Sequence, residues 1–435
     1  MTAGDGVYSQ IDEIHRAEWA RSVARLCRLS GDVQLAEDCV QEAFVIAVKV
    51  WERSGMPDNP GGWIRTVARR RLIDFARRRR TQVSGAVQLL IDAEVNSSNQ
   101  ADDFDSIDRA IDDDELALIF LCCHPAISVT DQVMLTLRVV AGMAPRDIAH
   151  AFFAGHEAVR TRLLRAKRKI KSAKIPMGLP PAEQLAERFQ QVQAVIYLIF
   201  NEGYLSNRGG HAQRMDLTRE SIRLCEKLLT LAPGNQESHG LFALLLLTDA
   251  RAPARIGESD NELVALEDQD RELWRKDQIV AGFYHLQKAM KDKGQVEQKG
   301  KAQQDALGRY AVQAAIAAEH AKAARYSQTN WAAIVQWYDR LIAIENSPVY
   351  YLNRCVALSF TEGPNSALQG LAELSQGSLL ADSYQLHATR ANLLARIGRL
   401  KEAIAHYHLA IAQLDDGAIK SFLQQRIEQL QKATG

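Results

Sequence analysis

The sequence is poor in residues that staple a chain or hold a metal. Only six cysteines occur in 435 residues, scattered, so no disulfide framework or metal-ligand spacing emerges. Cys122-Cys123-His124 is the one cluster. Adjacent cysteines on a helix point in different directions, so buried thiols are expected there, with no metal. A reducing cytoplasm fits that usage. The start lacks a basic-then-apolar signal and no apolar run is long enough to cross a bilayer, so no membrane insertion is expected. Charge of one sign is not in excess. Lys and Arg number 53 against 53 Asp and Glu, so no overall field draws the chain to nucleic acid or membrane. From residue 176 onward there is no nucleotide-binding glycine loop, zinc helix or nucleophile elbow, and nothing suggests strands. The expectation is an all-α protein that is not an enzyme and carries no cofactor.

What is present is organised around residues 128–171. Ser128 with Asp131 three residues on is a capping-box start before the apolar run Val133 to Val140. Gly142 ends that helix, and Pro145 and Asp147 suit the first turn of the next. Ile148, Ala149 and Phe152 give the second helix one apolar side. After an Ala154-Gly155 turn, a third helix runs from His156 to about Lys171. Val159, Leu163, Ala166 and Ile170 recur at helical spacing and face inward, with Glu157, Arg160, Thr161, Arg165 and Arg168 opposite. A short helix, a glycine turn and a basic exposed helix describe a helix-turn-helix. An ordinary hairpin with a solvated basic face is the competing reading.

The N-terminal part reads as three helices. The first covers 9–29, with Ile11, Ile14, Trp19, Val23, Leu26 and Leu29 apolar, and Gly31-Asp32 breaks it. The second, about 34–52, sets an inward stripe (Ala36, Cys39, Val40, Ala43, Ala47, Trp51) against an outward one of Asp38, Gln41, Glu42, Val45 and Lys49. The third opens at Trp63 and reaches about Arg80. It carries Arg65, Arg69, Arg70, Arg71 and Arg77 to Arg80, opposed on its own length only by Asp74. Arginines neutralise phosphates and an aromatic can stack on an unpaired base. A solvated surface helix with Trp63 in the core fits equally.

The runs Ala36-Glu-Asp-Cys-Val-Gln-Glu-Ala-Phe44, Trp51, Asn59-Pro-Gly-Gly-Trp63-Ile-Arg-Thr-Val-Ala-Arg69 and Arg71-Leu-Ile-Asp-Phe-Ala-Arg-Arg-Arg79 resemble region 2 of bacterial sigma factors. The likeness is greatest to the extracytoplasmic-function class. Residues 128–171, with their Arg165-Ala-Lys-Arg-Lys-Ile170 ending, resemble region 4 of that class, in the matching order. The resemblance implies core RNA polymerase and promoter DNA as partners. It implies that Asp38, Gln41, Glu42 and Phe44 lie in the helix that binds polymerase. It places Trp63, Thr66, Arg69, Arg70 and Asp74 in the helix that opens and reads the −10 element. It places Arg160, Thr161, Arg162, Arg165 and Arg168 in the helix that reads the −35 element. Ala144 stands where the family usually has Ser or Thr, and His156 where it often has Pro, which bears on helix ends.

The organisation expected is a region 2 domain over 1–90, an acidic linker over 91–115, a region 4 helix-turn-helix domain over 116–175, and a helical extension over 176–435. The linker is either solvated and flexible or an acidic mimic of a nucleic-acid strand. Residues 116–125 should form the first buried helix of the second domain. The extension reads as helices at 183–205, 212–232, 237–252 and 268–292, with a charged loop at 293–301. From about 330 to 435 a repeat emerges: Ala333 with Trp337, Ala367 with Leu371, and Ala403 with Tyr407. Ala391, Leu394, Gly398, Ala403, Tyr407 and Ala410 match small and aromatic positions of a tetratricopeptide hairpin, and a generic helical array competes. Either gives a solenoid with a concave surface for an unidentified protein or ligand. Together with Asn201-Glu-Gly-Tyr204 and Gln313-Ala-Ala-Ile-Ala-Ala318, this resembles the sigma-factor subgroup with a C-terminal tetratricopeptide domain. The function so implied is promoter-directed initiation, with the extension regulating in cis. The rival reading is a helix-turn-helix regulator with a tetratricopeptide sensor that does not act as a sigma factor. A second rival is an adaptor whose basic helices bind RNA or acidic partners.

Overall fold

The computed structural model describes residues 3–78, 114–152, 154–204, 215–257, 263–291, 307–374, 383–414 and 417–434. Among them no strand forms, and the one β feature is an isolated antiparallel bridge between Ile256 and Leu263. The chain divides into two compact units, residues 1–198 and 199–435.

The first unit opens with α1 (Ala3–Ser30), α2 (Val33–Ser54) and α3 (Pro60–Arg78), each packed on the other two. Gly31 and Asp32 together make the first corner. Gly31 adopts φ +65°, which a side chain would resist, and Asp32 Oδ1 accepts from the amides of Gln34 (3.1 Å) and Leu35 (3.3 Å). One dipeptide therefore ends α1 and caps α2. The inward stripe of α2 is buried at every expected position, and Trp19, Val23, Leu26, Ile64, Ala68 and Leu72 complete the core. Burying each large aliphatic side chain contributes about 1.5–3 kcal/mol.

Helix α4 spans 114–122 and is buried throughout. Asp114 and Glu115 were expected at the end of an acidic linker, but they stand inside this helix. Burial is tolerable because α1 supplies counter-charges: Arg28 pairs with Asp114, and Arg21 lies 3.9 Å from Glu115. Residues 79–113, which hold the rest of that linker, lie outside the described residues. Cys122 and Cys123 are fully buried, and burial first of all pushes the Cys123 thiol up to about 12. Cys123 Sγ lies 3.7 Å from Thr136 Oγ1.

Three helices follow: α5 (Val129–Val139), α6 (Pro145–Ala151) and α7 (His156–Ser172). Ser128 caps α5 at the amide of Asp131, 3.3 Å away. Gly142 takes φ +72° beyond the helix end, where an added Cβ would lie 2.8 Å from His15 and 3.0 Å from Trp19. Trp19 Nε1 donates to Val139 O at 3.0 Å, so α5 is tied to α1. Gly155 is the N-cap of α7 at φ −64°, an ordinary extended conformation.

Helix α8 (Ala182–Tyr204) follows a short non-helical stretch that includes Pro176 to Pro181. Its residues 182–198 belong to the first unit, so the compact division falls at 198/199 and not at 176. The reason is local. Phe189 meets Phe120 of α4 edge-on at 5.3 Å, and Arg188 is buried with its guanidinium donating to Phe120 O. Val192, Val195 and Ile196 are buried, whereas Leu198 is 41% exposed.

In the second unit come α9 (Met215–Leu231), α10 (Gln236–Asp249), α11 (Ala252–Arg255) and α12 (Lys276–Met290). Helix α10 is apolar on all sides and packs against α12 and against α13 (Arg309–Lys322). Gly240 permits the second contact, because a Cβ there would stand 2.6 Å from the Ala311 amide nitrogen. The expected loop at 293–301 lies outside the described residues. Then α14 (Trp331–Ile344), α15 (Pro348–Thr361), α16 (Pro364–Leu374), α17 (Tyr384–Arg396), α18 (Leu400–Ile411) and α19 (Ala418–Thr434) each pack on the next.

Three core clusters run along this series. One joins α13, α14 and α15 through Val312, Ile334 and Ala357. The next joins α15, α16 and α17 through Leu352, Leu371 and Leu386. The last joins α17, α18 and α19 through Ala391, Tyr407 and Ile427. Helices α15 and α17 thus face two clusters each, the linkage of a helical solenoid. Ala367, Leu371, Ala403 and Tyr407 are buried as the repeat requires. At the first repeat the register differs. Ile334 and Leu341 take the core, Trp337 packs half-buried against it, and Ala333 is half-buried.

Candidate nucleic-acid interface

Three helix faces of the first unit hold the residues singled out from the sequence. On α2, Asp38, Gln41, Glu42, Val45 and Lys49 are all exposed, directly opposite the buried stripe. Gln34 Nε2 donates to Asp38 Oδ1 at 2.8 Å, and Arg71 of α3 approaches Glu42 at 3.4 Å. Phe44 is different. It is 7% exposed, with its ring 4.8 Å from His15 and 6.4 Å from Trp19. Lying four residues after Val40 and three before Ala47, it falls on the apolar side of the helix. It holds α2 against α1 and does not stand on the polar face.

On α3, Asn59 Oδ1 caps the first turn at the Gly62 amide, 2.8 Å away. Thr66, Arg70, Asp74 and Arg77 form one exposed stripe at helical spacing, continuing from the half-buried Trp63. The Trp63 ring stands edge-on to the buried Trp51, centroids 5.4 Å apart at 61°. Its inner edge is therefore core, and the rest reaches the surface beside Thr66. The Thr66 hydroxyl donates back to Gly62 O at 2.9 Å. Arg69 is half-buried on the flank. The arginines of α3 are also less unopposed than their own helix suggests, because Arg65 pairs with Glu18 and Arg71 with Glu42. Arg79 and Arg80 lie outside the described residues.

On α7, Val159, Leu163, Ala166 and Ile170 are buried at 0–5% exposure, so the basic face is turned outward as expected. Arg160 is exposed and paired with Glu157 at 3.4 Å. Arg162 is engaged by Asp131 of α5 at 2.8 Å, and Thr161 is half-buried. Arg165 and Arg168 are exposed. Two guanidiniums separated by one helical turn match the reach of base edges or adjacent phosphates.

Sequence reasoning missed a charged cluster between α2, α5 and α7. Glu37 is 1% exposed and ion-pairs with Arg138 (2.8 Å) and with Lys167. Lys167 Nζ also donates to Gln34 Oε1 at 2.9 Å, and Lys171 Nζ to Asp32 Oδ2 at 2.6 Å. Arg138 reaches Met143 O at 3.1 Å and Gln41 Oε1 at 3.4 Å, and its guanidinium lies 5.2 Å from the Trp19 ring. Burial alone would raise the Asp32 carboxyl, but the Lys171 ammonium and the amides of Leu35 and Gln34 hold it below its ordinary value. The available signal was the placement of Glu37 and Lys167 beside the apolar stripes of two different helices, with opposite charge. Among the described residues no group of three His, Cys, Asp or Glu side chains is placed to hold a metal ion. No helix among them is long and apolar enough to cross a membrane.

Residues 16–82 match the Sigma-70 region 2 family, and residues 188–290 match a family of unknown function, DUF6596. The chain is 38% identical over 411 residues to an uncharacterized protein of Rhizobium meliloti, across 94% of this chain and 93% of that protein. It is 28% identical over 172 residues to "Probable ECF RNA polymerase sigma factor SigI" of Mycobacterium tuberculosis, across 39% of this chain and 57% of that one. With a region 2 module at its head, a DUF6596 segment behind it and an end-to-end relative, the chain belongs to the extracytoplasmic-function type of sigma factors, in a subgroup with a C-terminal helical extension.

Proposed function

We propose that the chain binds core RNA polymerase through the exposed polar face of α2, opens the −10 element with α3 and reads the −35 element with α7. The observation that carries this reading is the face of α2. Asp38, Gln41 and Glu42 stand exposed opposite a complete buried stripe, on the helix that the region 2 match includes. The stripe from Trp63 through Thr66 and Arg70 to Asp74 serves strand separation, capturing unpaired bases by stacking and holding phosphates by charge. Promoter melting is driven by binding free energy, with no covalent step.

The second unit regulates this activity in cis. Support comes from α8, which packs on α4 through Phe189 and whose last turns, from residue 199 on, belong to the second unit. Its small-and-aromatic repeat positions fit a tetratricopeptide-like solenoid with a surface for a protein or ligand. The test is promoter-dependent transcription with purified core polymerase. Specific initiation is expected from the full chain, at a rate that changes when residues 199–435 are removed. A chain that binds promoter DNA yet never directs the core enzyme is a helix-turn-helix regulator, and this reading is then wrong.

A further inference from the structure

The acids at the start of α2 meet the same helix that is assigned to DNA. Glu37 and Asp32 engage Lys167 and Lys171, one turn apart on α7 and interleaved with the exposed Arg165 and Arg168. Each carboxylate meets one of these lysines, and Gln34 adds a third acceptor at 2.9 Å from Lys167. Glu37 is nearly sealed from solvent and has a second cation in Arg138, so the contact is built into the fold rather than resting on a pair of surface side chains.

We propose that the first turns of α2 act as an internal phosphate mimic, holding Lys167 and Lys171 of α7 in a closed arrangement that DNA displaces. This rests on the reading of α7 as a DNA-binding helix. In the closed arrangement α7 offers DNA its arginines, while the Lys167 side chain is only 9% exposed and the exposed Lys171 has its charge met by Asp32. Opening releases both, and Arg138 gives up Gln41 on the polymerase-facing side of α2 at the same time. DNA binding is thereby coupled to separation of α7 from α2. The apparent affinity is lowered by the closed fraction, which added salt reduces because it weakens the exposed Lys171 pair.

Two substitutions in the full chain isolate the contact. Asp32→Asn keeps the N-cap, since asparagine caps as well as aspartate, and removes the charge facing Lys171. Glu37→Gln leaves Arg138 and Lys167 without a counter-ion at a buried site. Binding to a fluorescent DNA duplex is measured across a salt series. Each lysine that takes up a phosphate steepens the slope of log affinity against log salt by about 0.9. Both variants are expected to bind more tightly at low salt, Glu37→Gln by about tenfold or more, and with steeper slopes than the parent. In parallel, dyes on Arg53→Cys and Ser172→Cys report separation of the helices, because all six native cysteines are buried and do not label. Energy transfer is expected to fall in Glu37→Gln. Parental slopes and parental transfer in both variants overturn the proposal. If Glu37→Gln fails to fold by circular dichroism, the Asp32→Asn slope decides alone. If the double change Arg165→Ala and Arg168→Ala leaves duplex affinity intact, the DNA assignment of α7 fails, and the dye measurement still decides the closed arrangement.

Discussion

Replacing Phe189 by alanine should loosen α4 and the helix-turn-helix behind it, although Phe189 lies beyond the stretch that resembles region 4. Phe189 is 7% exposed and stands edge-on to Phe120, centroids 5.3 Å apart at 84°. Loss of a buried phenyl ring costs about 3–5 kcal/mol, including the cavity it leaves. The edge-on pair accounts for about 0.5–1.5 kcal/mol of that. A domain is stable by only about 5–15 kcal/mol, so the change removes a large share. Hydrogen exchange reads the effect by position. At about tenfold per 1.4 kcal/mol, protection of amides 116–122 and 133–139 should fall by about two to three and a half orders of magnitude. Leu198→Ala is the control, because Leu198 is 41% exposed on the same helix and should shift protection by less than a factor of about three. If Phe189→Ala leaves 116–122 as protected as the parent, α8 is not part of the first unit and the boundary at 198/199 is wrong.

Charge reversal at Asp38 and Glu42 to lysine should weaken core polymerase binding while leaving the melting temperature near the parent, because both side chains are exposed. A pull-down with purified core checks it. Arg165→Ala should relax base preference at one position of the upstream element by about 1–3 kcal/mol, measured on a panel of promoter variants, whereas a uniform loss marks a phosphate contact. The second unit should lose stability on acidification. Burial, then His239 and Lys288, push the His285 imidazole down from 6.5 to about 4. A folded value below the unfolded one favours the native state above 6.5, and that contribution is lost as the pH falls through about 4. Melting curves over that range should show the decline, and His285→Phe should flatten it.

Local pattern alone determined most helices and their inner faces. The stripes of α2 and α7 were legible because the 3.6-residue period sorts apolar from polar positions without knowledge of what they meet. Caps such as Ser128 act within one turn, so helix starts were legible too. Phe44 lies in the helix the motif names, but a motif gives only a position, and the rotation of the helix turns its ring toward α1. Only the tertiary structure decided where charges go. Asp114 and Glu115 looked like linker until α1 brought Arg28 and Arg21 to them. Arg65 and Arg71 looked free until Glu18 and Glu42 met them. The sequence likewise placed a boundary at Pro176, since prolines mark a break in the helix. It carried no sign that Phe189, beyond that break, would fold back onto Phe120. Glu37 with Arg138 and Lys167 joins three segments, the first about a hundred residues or more from the others and the last two separated by α6. Periodicity reports which side of one helix is apolar. Which opposite charge arrives from another helix depends on how the helices cross, and a one-dimensional pattern holds no record of that.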